Sequence, residues 1–251
     1  NAGVRYSIFR EPADAKNMLT NFDPSAYNPS EAPQIDPATG NIVPNSGNPL
    51  NGIIINNQNN VYGAKSANED VINGALRGGG VWDPFGDGKT AIRSGYGIFY
   101  DSILYGIYEQ NVFANPPYVN TITIPNTSLS DPTSGTPVVS LAPKVLHGTP
   151  LPYKTPYSQQ WSFDIQRQIT RDTLFDIGYN GSKGTHLTGI VDLNQPYPGV
   201  AMAAGLVPPG TVFTSANSPI LNAVRPYQGY SSINSVETWF NSHYNALQVS
   251  L

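Results

Sequence analysis

The chain has 251 residues, a formal net charge of −4 and only 12% charged residues, so it carries no basic footprint for nucleic acid. It has no cysteine, which removes disulfides, thiolate metal sites and cysteine nucleophiles together. Its 24 glycines, 23 prolines and 15 tyrosines suit β-strands joined by irregular loops.

The chain opens at Asn1 without an initiator Met, and "NAGVRYSIFREP" already reads as a strand, predicted over 3–9. No basic start followed by an apolar run marks a signal peptide. A second strand is predicted over 74–82 and a third over 91–101. In the third, Ile92, Tyr96, Ile98 and Tyr100 alternate with Arg93, Gly95, Gly97 and Phe99. The fourth, 158–169, sets Trp161, Phe163, Ile165 and Ile169 against Ser162, Asp164, Gln166 and Gln168, with Arg167 near the end of the apolar face. The fifth, 174–181, sets Phe175, Ile177 and Tyr179 against Asp176, Gly178 and Asn180. A sixth is predicted over 236–251. Helical periodicity is not sustained anywhere, because Pro and Gly interrupt it. The nearest apolar run, "VAMAAGLV", falls far short of the roughly 18–20 residues of a membrane helix.

The connections alternate in length. "GDG" and "TRD" make hairpin-like turns, whereas the other three connections greatly exceed the usual maximum of about 15 residues. Centring one turn on Arg171 pairs Phe163 with Tyr179, Ile165 with Ile177 and Gln166 with Asp176. Centring the other on Asp87 pairs Trp82 with Ile92, Val81 with Arg93 and Gly78 with Tyr96. A slip of one residue mixes the two faces, so alternation fixes the register. The fold expected is all-β: antiparallel strands of a transmembrane β-barrel, with short periplasmic turns and long extracellular loops. Phe163, Ile165, Ile177 and Tyr179 are then expected to face lipid. Arg93, Ser162, Asp164, Gln166, Asp176 and Asn180 are expected to face the lumen.

Sites of chemistry are weak. "GDGKT" lacks the first glycine of a phosphate loop, Asp83 standing in its place, and no helical pattern follows it. "RGGG" is not a dinucleotide fingerprint; glycines within a strand allow bends or close neighbours. His147, His186 and His243 lie far apart and lack metal-ligand spacing. Asp164 and Asp176 have no nucleophile beside them, and a polar lining accounts for them better than acid–base catalysis. The expectation is therefore a non-enzyme without a cofactor. Tyr96, Tyr100, Tyr153, Tyr157 and Trp161 fit an aromatic girdle at a membrane interface. The loop residues Tyr27, Tyr118, Tyr197 and Tyr227 are candidates for ligand contact, with packing of the Pro-rich loops as the simpler role. Asp-Pro and Asn-Pro pairs, such as Asp23–Pro24 and Asn28–Pro29, read as turn starters rather than calcium ligands.

"WDPFGDGKTAIRSGYGIFYD", "TPYSQQWSFDIQRQITRDTLFDIGYNGSKGTHL" and "RPYQGYSSINSVETWFNSHYNALQVSL", in this order and spacing, resemble the barrel of TonB-dependent outer-membrane receptors. The similarity is greatest to the Oar-like group, whose members carry an N-terminal carboxypeptidase-regulatory-like domain. The opening "GVRYSIFREPADAKNMLTNFDPSAYNP" fits the same pattern. The resemblance implies a barrel of about 22 strands enclosing a plug and energised through TonB. On that reading residues 1–251 are about six strands of one barrel domain within a longer protein, with the plug, the N-terminal domain and the remaining strands elsewhere. The partners implied are outer-membrane lipid, the rest of the barrel and its plug, an unidentified solute, and TonB through parts outside this segment. The location implied is the bacterial outer membrane. The alternative is a secreted or surface structural protein that assembles through the edge strands of its sheet.

Overall fold

The computed structural model describes residues 1–102, 114–119, 128–132 and 140–251. In chain order the strands among them are β1 (Ala2–Ser7), β2 (Thr20–Phe22), β3 (Ile53–Ile55), β4 (Asn73–Trp82) and β5 (Thr90–Tyr100). They continue with β6 (Lys144–Gly148), β7 (Tyr157–Gln168), β8 (Leu174–Asp192) and β9 (Tyr230–Ser250). Seven of them form one sheet in the order β1-β4-β5-β7-β8-β9-β6, and β2 pairs with β3 in a small separate sheet. The large sheet is antiparallel from β1 to β9, as a chain of hairpins requires; β6 joins β9 in parallel.

All six predicted strands are present, and both hairpin registers are the predicted ones. Phe163 pairs with Tyr179, Ile165 with Ile177 and Gln166 with Asp176. Trp82 pairs with Ile92, Val81 with Arg93 and Gly78 with Tyr96. The ends differ from expectation. β1 stops at Ser7, and Ile169 lies in the turn, where its amide donates to the Thr173 carbonyl at 2.9 Å. β8 runs on to Asp192 and β9 begins at Tyr230, so the third long connection shrinks to 193–229. β2, β3 and β6 lie in stretches the sequence marked only as loop.

The first short turn is built by one carboxylate. Asp83 Oδ1 accepts from the amides of Phe85 (3.2 Å) and Gly86 (3.0 Å), and Oδ2 accepts from Gly88 (2.8 Å). Gly86 and Gly88 both take positive φ, at 69° and 68°, which a side chain would resist. Of the amides in "GDGKT", those of Gly86 and Gly88 therefore donate to Asp83, and that of Lys89 donates to Asp87 Oδ1 at 2.9 Å.

Burial is inverted between sheet and loops. Val4 is 76% exposed, Leu76 57% and Leu247 67%, whereas Leu146, Ile233 and Val236 are at 0%. The core sits in the long connections and the upper part of β9. One cluster joins Phe22, Ile53, Leu146, Tyr230 and Ile233; another joins Leu19, Ala67, Tyr153 and Val236. Tyr153, predicted at the interface end of a strand, is instead buried against Leu19 and Ala67 of the first connection and Val236 of β9. An apolar sheet face of this extent left open is unstable in water.

Candidate functional site: a polar sheet face and a folded cap

Residues paired directly across a sheet share a face, so the register sorts the side chains. Arg93 pairs with Asp164, which pairs with Gly178; Gln166 pairs with Asp176, and Ser162 with Asn180. All six predicted polar-face residues thus lie on one face. Val4, Leu76, Ile92, Phe163, Ile165, Ile177, Tyr179, Leu247 and Val249 lie on the other.

The polar face carries a groove of about 760 Å³ whose lining includes Arg77, Phe99, Gln160, Ser162, Asn180 and Ser182. Its floor is glycine backbone from Gly79, Gly95 and Gly97. Phe99 lies over Gly97, where a Cβ would come within 2.7 Å of the ring. The Arg77 guanidinium lies over the same ring, its Cζ 4.3 Å from the centroid, in a cation–π contact. Arg93 and Gln166 lie nearer the short turns, in a separate recess of about 410 Å³ with Lys89 and Arg171. Ser162 and Asn180 therefore belong to the groove, and Arg93 and Gln166 to the recess. Asp164 covers Gly178 between them. Arg77 was missed as a site residue, although its register partner Gly97 put it on the same face as Arg93.

Beside the first residues of β9 the described parts of the long connections fold on one another. Phe22 meets Tyr227 at 5.0 Å and Tyr230 at 5.9 Å between ring centroids, and Tyr27 meets Tyr227 at 5.1 Å, all edge to face. The Tyr27 hydroxyl donates to the Gln228 carbonyl at 3.2 Å, and burial pushes its pKa up. Tyr230 is buried and donates to the carbonyls of Asn51 (2.8 Å) and Pro49 (3.2 Å); burial holds its hydroxyl far above the ordinary range. Of the four loop tyrosines singled out by sequence, Tyr27 and Tyr227 come together in this cluster. Tyr118 accepts from Gln58 Nε2 at 3.1 Å elsewhere, and Tyr197 is exposed.

Buried asparagines bind the connections together. Asn21 Nδ2 donates to the carbonyls of Ser66 (3.1 Å) and Thr149 (3.0 Å), while its Oδ1 accepts from the Phe22 and Thr149 amides. Asn194 Nδ2 donates to the carbonyls of Tyr227, Tyr230 and Ser231, and its Oδ1 accepts from Tyr227. Arg225 donates to Asn222 Oδ1 and to the Asn194 carbonyl; its Nη1 lies 3.7 Å from Asp192, and burial lowers its pKa against that charge.

The histidines remain apart. His147 lies on β6, where burial lowers its pKa, and His243 pairs with Lys183 across β8–β9. His186 sits at an irregularity between Gly184 and Gly189, at φ 56°, and its Nδ1–H donates to the Thr238 carbonyl at 3.1 Å. No group of three or more His, Asp or Glu that could hold a metal occurs among the described residues.

β4, β5 and β7 have 10, 11 and 12 residues, close to the about 9–11 a tilted strand needs to cross a bilayer. β8 and β9, with 19 and 21, are too long for that, and the excess lies beyond the irregularity at 184–189. Compared with known families, the chain matches the outer membrane beta barrel domain over residues 1–251. It belongs to that family. None of the curated proteins compared with it matches. As an outer-membrane barrel domain it crosses the membrane with strands, and among the described residues no helix is long and apolar enough to do so. Membership accounts for the inverted burial: a barrel strand turns its apolar residues outward and its polar ones inward.

Proposed function

We propose that this barrel domain is part of the wall of a TonB-dependent receptor of the Oar-like group, which imports or captures at the surface a solute not yet identified. The observation that carries the reading is the two-faced sheet topped by a folded cap. One face is apolar and exposed, and the other holds a glycine-floored polar groove. The three strand motifs that resemble such receptors supply the rest.

On this reading Phe163, Ile165, Ile177 and Tyr179 meet lipid. Arg93, Ser162, Asp164, Gln166, Asp176 and Asn180 line the interior beside the plug. Tyr100 and Tyr157, 5.2 Å apart, and His186, 6.0 Å from Tyr157, mark the outer interface, where amphipathic rings gather. The Asp83 turn lies in the periplasm and the cap outside the cell. The outer edges of β1 and of β9 below Ser235 pair with further barrel strands. The domain has no catalytic role: it lines a path, and TonB, acting through the plug, supplies the energy.

Two measurements test the proposal in the full-length protein. Labelling single cysteines at 163–166 in outer-membrane vesicles should give lipid exposure at 163 and 165 and aqueous exposure at 164 and 166. Uniform aqueous labelling would remove the barrel-wall role of this hairpin. Crosslinking in intact cells should then capture TonB with the receptor, and no capture under conditions that label a known receptor would remove the energised-transport reading. ATP binding lost on Lys89→Ala would contradict the non-enzymatic reading.

A further inference from the structure

We infer that the described parts of the three long connections form a single cooperative body, locked by buried asparagines, that opens as one unit rather than as three independent loops. The inference goes beyond the receptor reading and does not depend on it.

The apolar core is composite. Phe22 and Ile53 come from the first connection, Leu146 from β6 in the second, and Tyr227 from the third, packed on Tyr230 and Ile233 of β9. Withdrawing one segment exposes the apolar surface of the others, so partial opening loses much of the burial that full opening loses.

The polar bonds cross the same boundaries. A carboxamide offers both N–H donors and a carbonyl acceptor, the same two kinds of group a peptide presents, and closes a ladder where no strand partner is available. Asn21 links the first connection to Thr149 of the second. Asn115 Nδ2 donates to the carbonyls of Thr20 and His147, and its Oδ1 accepts from the His147 amide. Asn222 of the third connection donates to the Gly40 carbonyl of the first at 3.1 Å. A side chain at Gly40, where φ is 71°, would run into the Pro219 carbonyl, so the two backbones are in direct contact. A group that stays buried after losing such a partner costs more than the bond contributes when made, which penalises states that withdraw one segment and keep the others packed.

The body is also fastened to the wall. β6 occupies the edge of β9 from Tyr230 to Ser235 in parallel, so the second connection is hydrogen-bonded to the strand whose lower part continues into the membrane.

Hydrogen–deuterium exchange of the full-length protein, read by mass spectrometry, tests the inference. The side-chain hydrogen bonds of Asn194 among the described residues go to the backbone of Tyr227, Tyr230 and Ser231. Asn194→Ala should nevertheless speed exchange about tenfold or more at 19–22, 53–56 and 146–149, in the other two connections. Faster exchange confined to 192–231 would overturn the proposal. If Asn194→Ala does not reach the membrane, Phe22→Leu is read the same way: faster exchange at 40–42 and 219–222, around the Asn222–Gly40 bond, supports one body, and a change limited to 19–27 and its ring partners at 227–233 overturns it. Asn241→Ala, on exposed lower β9, should leave the cap unchanged; acceleration there too would mean general loosening and would overturn the proposal.

Discussion

The Trp161 indole lies over Gly181, its direct partner across the β7–β8 ladder, in the space a side chain at 181 would fill. The pair sits on the apolar face, where a bare glycine would leave a gap in the wall and an unsupported ring would stand free. Gly181→Ala should push the indole off its seat and destabilise the protein by about 1–3 kcal/mol, the usual cost of overpacking. Urea unfolding of the full-length protein followed by Trp fluorescence checks this. Adding Trp161→Ala should recover much of the loss, and strict additivity of the two changes would show that they do not interact.

Ile165 and Ile177 are register partners on the apolar face, and Asp164 is their neighbour on the other. Replacing either isoleucine with Arg should cost about 2–4 kcal/mol near the bilayer midplane and less towards an interface. Asp164→Asn keeps its face polar and should change stability far less. Equal losses for Ile165→Arg and Asp164→Asn in folding assays with lipid vesicles would contradict the two-faced wall.

Tyr230 joins packing and hydrogen bonding in the cap. Tyr230→Phe keeps the ring and leaves the Asn51 and Pro49 carbonyls without their donor, at a cost of about 1–3 kcal/mol. The pH dependence has a definite sign. The hydroxyl's pKa is raised from 10.0 by burial, with Tyr27 acting in the same direction. The unfolded tyrosine ionises near 10.0 and the folded one does not, so the contribution is complete below that pH and falls as pH rises above it. Proteolysis of the loops should accelerate above pH 10 in the wild type and show a weaker pH dependence in Tyr230→Phe.

Asp83 gives the opposite sign at the other end of the strands. The Gly88 amide above all holds its pKa below 3.8; desolvation works against it, and the Phe85 and Gly86 amides add to the lowering. Its contribution to the turn is complete above that value and is lost as pH falls through the lower folded one. The amide resonances of Gly86 and Gly88 should titrate below pH 3.8, and the step should vanish in Asp83→Ala. A midpoint at or above 3.8 would remove the carboxylate from its role in the turn.

The strands of the wall and their two faces were legible in the residues. Alternation in "SQQWSFDIQRQI" and "TLFDIGYNG" has a period of two, and a short turn leaves one register that keeps Phe163 with Tyr179 and Asp164 off the apolar side. That information is local, spanning a hairpin, so no distant contact was needed to place Ser162 beside Asn180; Arg93 meets Asp164 across the long second connection, a pairing that only the tertiary structure supplied.

The cap and the groove were not legible in the same way, because their partners lie far along the chain. Asn21 meets Thr149 across 128 residues and Asn222 meets Gly40 across 182. Neither pairing leaves a periodic trace, since a carboxamide accepts any backbone segment that presents a carbonyl and an amide. β6 is five residues long and pairs in parallel, so no turn announces its register. The upper lengths of β8 and β9 were hidden for a related reason. The irregularity around His186 breaks the alternation, and beyond it burial is set by Leu19, Tyr153 and Leu146 arriving from elsewhere in the chain. Local alternation therefore specifies the membrane wall, while the shape above it depends on which distant backbones the loop asparagines and aromatic rings bring together.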